Sequence, residues 1–224
     1  MSAQELEWSY DRAAPGWACT LDRLGVPAAY ERLLGRVLGE EQAAETATPL
    51  RVLDCGVGTG ALASAFARVS PAPFTLDAVD LSAQMLERAG RNLRAAGVES
   101  SLRRADVREL PYADGVFDLV LTGHVLEHLG DPRRALHEMT RVLKPGGLLV
   151  ACLTRRSPLG AWVQLRWRTH RVTPAQAEGW LRASGLEDAR CVSLEDHGFL
   201  HRLSVACAGR KPAERLHAVN HEAA

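Results

Sequence analysis

Short apolar runs alternate with segments whose apolar positions recur at helical spacing from Leu50 to Leu153. The run Leu50–Asp54 leads through glycines into a stripe of Leu62, Ala63, Phe66 and Ala67. Phe74–Asp80 precedes a helix starting near Ser82, a predicted N-cap, with Met85, Leu86, Ala89 and Leu93 on its apolar face. Ser100–Arg104 and the apolar run Phe117–Thr122 read as a third and a fourth strand. A helix over Pro132–Leu143 is predicted to stop at Lys144-Pro145-Gly146-Gly147, before a fifth strand at Leu148–Leu153. Strands alternating with helices predict a doubly wound α/β fold, Rossmann-like, with right-handed crossovers and a mostly parallel sheet.

The flanks break this rhythm. Residues 1–48 lack a strand-like run and read as an N-terminal helical cap, with Leu21, Leu24, Leu33, Leu34, Val37 and Leu38 near helical spacing around Gly25-Val26-Pro27. The main domain is expected over residues 49–208, with a cap insertion at about 154–172 rich in arginine and tryptophan. Thr173-Pro174 starts a further helix that ends at Gly185, and Ala189–Leu194 with Phe199–Ala208 are placed to pair as an antiparallel hairpin. Residues 209–224 are polar and read as a flexible tail.

Composition narrows the function. The 27 basic and 27 acidic residues cancel, which disfavours nucleic acid as a partner. No apolar run has the length of a membrane span, and the N-terminus carries no secretory signal, so the expectation is a cytoplasmic protein with no membrane partner. Five scattered cysteines without a C-x-x-C pair point away from a disulfide framework and from a metal site, and predict small apolar fillers on strands.

The loop Asp54-Cys55-Gly56-Val57-Gly58-Thr59-Gly60 carries the main chemical signal. It satisfies the dinucleotide fingerprint, with Asp80 at the matching distance downstream. Asp54 discriminates between ligands. A carboxylate beside this turn repels a pyrophosphate and attracts the sulfonium and ammonium of S-adenosylmethionine. Glycines at 56, 58 and 60 allow close backbone approach. Asp80 ends the second strand, where it can accept from ribose hydroxyls, and Asp106 follows the third, near an adenine amino group. Taken singly, each acid also reads as a helix cap or a turn residue. Three acids at successive strand ends match where doubly wound folds hold ligands.

The set resembles the class I methyltransferases, most closely the small-molecule branch of ubiquinone/menaquinone type. The resemblance is carried by Val52–Gly60, Ala78–Ser82 with Met85-Leu86, Ala105-Asp106, Leu110–Val120, His124–Leu129 and Arg141–Gly147, which cover about 50–150 in order. Tyr10-Asp11-x-x-Ala14 is similar to that branch's N-terminal helix. The resemblance implies a seven-stranded sheet with an antiparallel last strand and S-adenosyl-L-methionine as cofactor. It also implies cofactor contacts at Asp54, Gly56, Gly58, Gly60, Asp80, Leu81, Asp106, Val107 and Thr122, with Tyr10 closing over the methionine end.

The expected reaction is in-line methyl transfer to a small-molecule acceptor at O, N, C or S. His124, directly after the fourth strand, is the candidate general base, with a packing role as the equal alternative. His128 lies four positions on, on the same face if the segment is helical. Trp17, His128, Trp162 and Trp167 are candidate acceptor-pocket residues, and burial of the cap explains the tryptophans equally well. Other S-adenosylmethionine-using transferases, or a non-catalytic methyltransferase-like scaffold, are the competing classes.

Overall fold

A computed structural model describes residues 26–40, 48–154, 172–193 and 204–213. Helix α1 (Val26–Glu40) leads into β1 (Leu50–Cys55), α2 (Ala61–Val69), β2 (Phe74–Asp80), α3 (Ala83–Ala95) and β3 (Ser100–Arg104). These are followed by β4 (Phe117–Gly123), a single 3₁₀ turn (Leu126–His128), α4 (Arg133–Val142), β5 (Leu143–Thr154), α5 (Pro174–Ala183), β6 (Glu187–Ser193) and β7 (Ser204–Arg210).

The seven strands form one sheet in the order β3-β2-β1-β4-β5-β7-β6. The pairs β1–β2, β1–β4, β2–β3 and β4–β5 are parallel. Strand β7 runs antiparallel between β5 and β6, so the last strand is internal to the sheet. The predicted antiparallel pairing is present between the described parts of the two strands, but it joins the sheet through β7.

Alternate residues of the central strands feed two cores. Leu53, Val120, Leu149, Ala151 and Leu153 pack with Leu136 and Met139 of α4 and Leu181 of α5. Val52, Leu121, Leu148, Val150 and Cys152 pack on the opposite face with Leu33 and Leu34 of α1, Phe66 of α2 and Leu93 of α3. Burial on both faces is why the strands read as continuous apolar runs. Local capping agrees with the sequence: the Met85 amide donates to Ser82 Oγ at 3.1 Å, and Thr173 with Gln176 forms a reciprocal capping box.

Two expectations are corrected. Helix α4 ends at Val142, and β5 starts at Leu143, so Lys144-Pro145-Gly146-Gly147 lies within the strand. The segment is held by long-range partners: Lys144 Nζ donates to both Asp118 oxygens at 2.9 Å, and Gly146 and Gly147 exchange backbone hydrogen bonds with Lys211. The register with β4 jumps between Phe117 and Leu119 to absorb it. The second correction concerns cysteine. Cys55 and Cys152 are buried fillers, but Cys191 and Cys207, directly opposite each other on β6 and β7, form a disulfide.

Candidate functional site

The sheet reverses its order between β1 and β4, and the crevice outside their carboxyl ends is where a ligand is expected. The glycine loop follows β1. Gly56, Gly58 and Gly60 all have positive φ, at 76°, 53° and 83°. Their reasons differ. A β-carbon at Gly60 would press on Leu93 of α3 at 3.2 Å, whereas among the described residues nothing lies within 4 Å of one at Gly58. Gly58 therefore turns its open side outward, and its amide donates to Asp80 Oδ2 at 2.8 Å.

Asp80 also accepts from the Ser82 amide at 2.9 Å, so one carboxylate joins the glycine loop to the start of α3. Leu81 is partly exposed beside it. Asp106, beyond β3, is held by Arg108, whose guanidinium and backbone amide both donate to it. Those hydrogen bonds hold its carboxyl below the usual range against partial desolvation. Val107 is buried next to it. Thr122 is buried, and its hydroxyl donates to the Cys55 carbonyl at 2.9 Å, tying β4 to β1 at the crevice.

Asp54 differs from the other acids. It is 1 % exposed, and among the described residues no donor reaches full hydrogen-bond geometry with either carboxylate oxygen. Burial, then the charge of Asp80, raises its carboxyl to about 7, and the Ala63 backbone amide offsets only part of the rise. A buried acceptor pair without donors is costly in a folded protein. The donors it lacks are what a cationic, ammonium-bearing ligand supplies, and the open side of Gly58 offers a route of approach. The residues present thus fit S-adenosylmethionine.

A second cluster lies just beyond β4. His124 sits in the left-handed region at φ 56°. Its Nδ1 is 3.2 Å from Glu127 Oε1 and 3.0 Å from Thr154 Oγ1, and its Nε2 is 3.4 Å from Ser204 Oγ. Glu127 is 2 % exposed and accepts from the Thr154 amide at 2.8 Å and from the Thr154 hydroxyl at 2.5 Å. Burial raises the Glu127 carboxyl, but the facing His124 and the donors from His124 and Thr154 outweigh it and hold the group below its usual range.

The shared helical face expected for His124 and His128 is not formed. Only Leu126–His128 is helical, as one 3₁₀ turn, and the left-handed backbone at His124 precedes it. The partner on the same edge is Glu127, three residues on. Glu127 lies within the His124–Leu129 segment that carries the resemblance, whereas Thr154, Ser204 and Tyr30, whose ring centroid is 6.0 Å from that of His124, carry no motif signal of their own. The i, i+3 spacing of His124 and Glu127 was the one legible cue. Tyr10, Trp17, Trp162 and Trp167 lie outside the described residues.

Comparison with known proteins accords with this geometry. Residues 53–151 match the methyltransferase-domain family. The chain is 36% identical over 126 residues to a ubiquinone biosynthesis O-methyltransferase of Caulobacter sp., covering 53% of this chain and 49% of that protein. It is 38% identical over 97 residues to the ubiquinone/menaquinone biosynthesis C-methyltransferase UbiE of Bdellovibrio bacteriovorus, covering 43% of this chain and 41% of that protein. The chain spans about half the length of the curated relatives it matches. Its fold is similar to that of an S-adenosylmethionine-dependent methyltransferase of Thermotoga maritima, with TM-score 0.65 and 24% identity, covering 92% of this chain and 99% of that one.

Proposed function

We propose that this protein is a class I S-adenosylmethionine-dependent methyltransferase that transfers a methyl group to a small-molecule acceptor, a reading supported by the match of residues 53–151 to the methyltransferase-domain family. When bound, S-adenosylmethionine supplies a methyl group already activated by the sulfonium charge. The observation that carries the reading is the buried, unpartnered carboxylate of Asp54 beside the open Gly58. In this reading Asp54 pairs with the cationic methionine end. Asp80 takes the ribose hydroxyls while keeping the glycine loop in place, and Asp106 with Val107 and Leu81 borders the adenine. Thr122 holds β1 and β4 at the spacing that the crevice needs.

His124 stands at the edge where the methyl and the acceptor would meet, and it takes the acceptor's proton. We place the acceptor under Tyr10, Trp17, His128, Trp162 and Trp167, aromatic and imidazole groups suited to a planar or apolar molecule. No helix among the described residues is long and apolar enough to cross a membrane, and we propose a cytoplasmic setting.

Calorimetric titration with S-adenosylmethionine, S-adenosylhomocysteine and NAD tests the core of this reading. Binding of the first two and not the third is expected, with Asp54→Asn weakening both adenosyl ligands at least about tenfold. Tight NAD binding without a response to S-adenosylmethionine would overturn it.

A further inference from the structure

The His124 cluster holds more information than the presence of an imidazole. Among the described residues, four groups face the ring: Glu127 and Thr154 at Nδ1, Ser204 at Nε2, and the Tyr30 ring packed from α1. Glu127 accepts from the Thr154 amide at one carboxylate oxygen and from the Thr154 hydroxyl at the other, so it faces Nδ1 as an acceptor. The Thr154 hydroxyl spends its only hydrogen on Glu127, which leaves its oxygen an acceptor toward His124. Both neighbours of Nδ1 are therefore acceptors, and a neutral His124 must carry its hydrogen on Nδ1. The lone pair is then on Nε2. The Ser204 hydroxyl beside it can donate to that lone pair or rotate away, since it has a free rotor.

We propose that Glu127, with Thr154, is a positioning residue that locks His124 in the Nδ1–H tautomer, making Nε2 the base for an acceptor whose reacting group must lose a proton, a hydroxyl or an activated carbon beside one. The inference rests on the methyltransferase reading above. It specifies the acceptor because the kinds of acceptor differ in their need for a base. A thioether or tertiary amine has no proton to lose, and a protonated amine can release its proton to water before attack. A hydroxyl keeps its proton at neutral pH and becomes an oxonium if methylated with it. In the step proposed at a hydroxyl, the oxygen–methyl bond forms as the methyl–sulfur bond breaks. The bonding pair goes to sulfur, giving the neutral thioether S-adenosylhomocysteine, and the hydroxyl proton passes to Nε2. Glu127 then faces an imidazolium in a buried setting, where its negative charge stabilises the product of proton transfer.

The backbone supports the same role. A non-glycine residue at φ 56° is strained, and here the strain turns the ring back toward Glu127 and the ends of β5 and β7. Glu127 is held from a different strand, by Thr154, so the tautomer is set by tertiary structure and not by the turn alone.

The test is ¹⁵N NMR of histidine-labelled full-length protein, assigned through His124→Asn, at a pH where the imidazole is neutral. It needs no acceptor or cofactor. The expected wild-type signature is a pyrrole-like Nδ1 and a pyridine-like Nε2, changed to mixed tautomers in Glu127→Gln. A wild-type ring with its hydrogen on Nε2 would overturn the proposal without reference to any variant. In turnover, measured as S-adenosylhomocysteine formed from phenols, Glu127→Gln is expected to lower kcat about 100-fold with the KM for S-adenosylmethionine unchanged. Glu127→Asp is expected to recover part of the loss. Turnover confined to thioethers and tertiary amines would overturn the acceptor class. Failure to bind S-adenosylhomocysteine by calorimetry would instead sink the methyltransferase reading itself, so the two failures are distinguishable.

Discussion

A β-carbon on Gly56 would lie 2.2 Å from Cγ2 of Val125, so the loop after β1 and the segment after β4 are packed in direct contact. Gly56 also has φ 76°, where an L-residue is strained. Gly56→Ala is expected to cost about 1–2 kcal/mol for the backbone and about 1–3 kcal/mol for overpacking. Adding Val125→Ala should recover the second part and leave the first. Urea denaturation of the two variants separates these contributions. Equal stability of single and double variants would show that the contact is not felt.

Asp54 makes stability and ligand affinity depend on pH in opposite directions. Its folded carboxyl is at about 7 against 3.8 in an unfolded chain. Its contribution is thus fully present below the unfolded value and is lost as pH rises through about 7. The loss is on the order of 4 kcal/mol above that pH. A cationic ligand favours the ionised form, so affinity should increase with pH up to about 7 and then level off, with proton release on binding below it. Calorimetry in buffers of different ionisation enthalpy reads that proton directly. Asp54→Asn should flatten both profiles.

His124→Asn is the cleaner probe of the base, because asparagine tolerates the left-handed backbone that alanine does not. The expectation is a fall in kcat of about 10²–10⁴ with cofactor affinity unchanged. Unchanged turnover would reduce His124 to a packing residue.

The disulfide predicts a redox-dependent stability. Cys191 and Cys207 are 16 residues apart in sequence. In the chain-entropy account, closing a loop of that size stabilises by about 3 kcal/mol. Dithiothreitol should therefore lower the Tm of the wild type and leave Cys191→Ser unchanged. In a reducing cytoplasm the bridge would be open much of the time. Differential alkylation with mass spectrometry gives the occupancy.

Most of the fold was legible because the sheet is buried on both faces, which leaves short apolar runs such as Phe117–Thr122, too short for a helix and flanked by Gly115 and Gly123. Ser82 and Thr173 announced their helices because capping is local chemistry. Lys144-Pro145-Gly146-Gly147 does end the helix, as its local signals indicate, but the early start of β5 was hidden because the segment's partners are Asp118 and Lys211, far off in the chain. The Cys191–Cys207 bridge was hidden for the same reason, since it depends on which register β6 and β7 adopt. In the candidate site, the acids stood out at strand ends. That Asp54 is left without donors while Asp106 is satisfied by Arg108 depends on side-chain placement, which no spacing reveals.

The place of β7 has a consequence for how the chain is made. The ribosome releases β6 before β7, yet β6 touches the sheet only through β7. Until residue 210 has emerged, β6 has no neighbour to pair with and β5 presents a bare, strongly apolar edge. Synthesis order and assembly order are therefore inverted at this end of the molecule. During the interval between those two strands, the nascent chain therefore carries an unpaired β5 edge, the kind of surface on which strands of other chains can add.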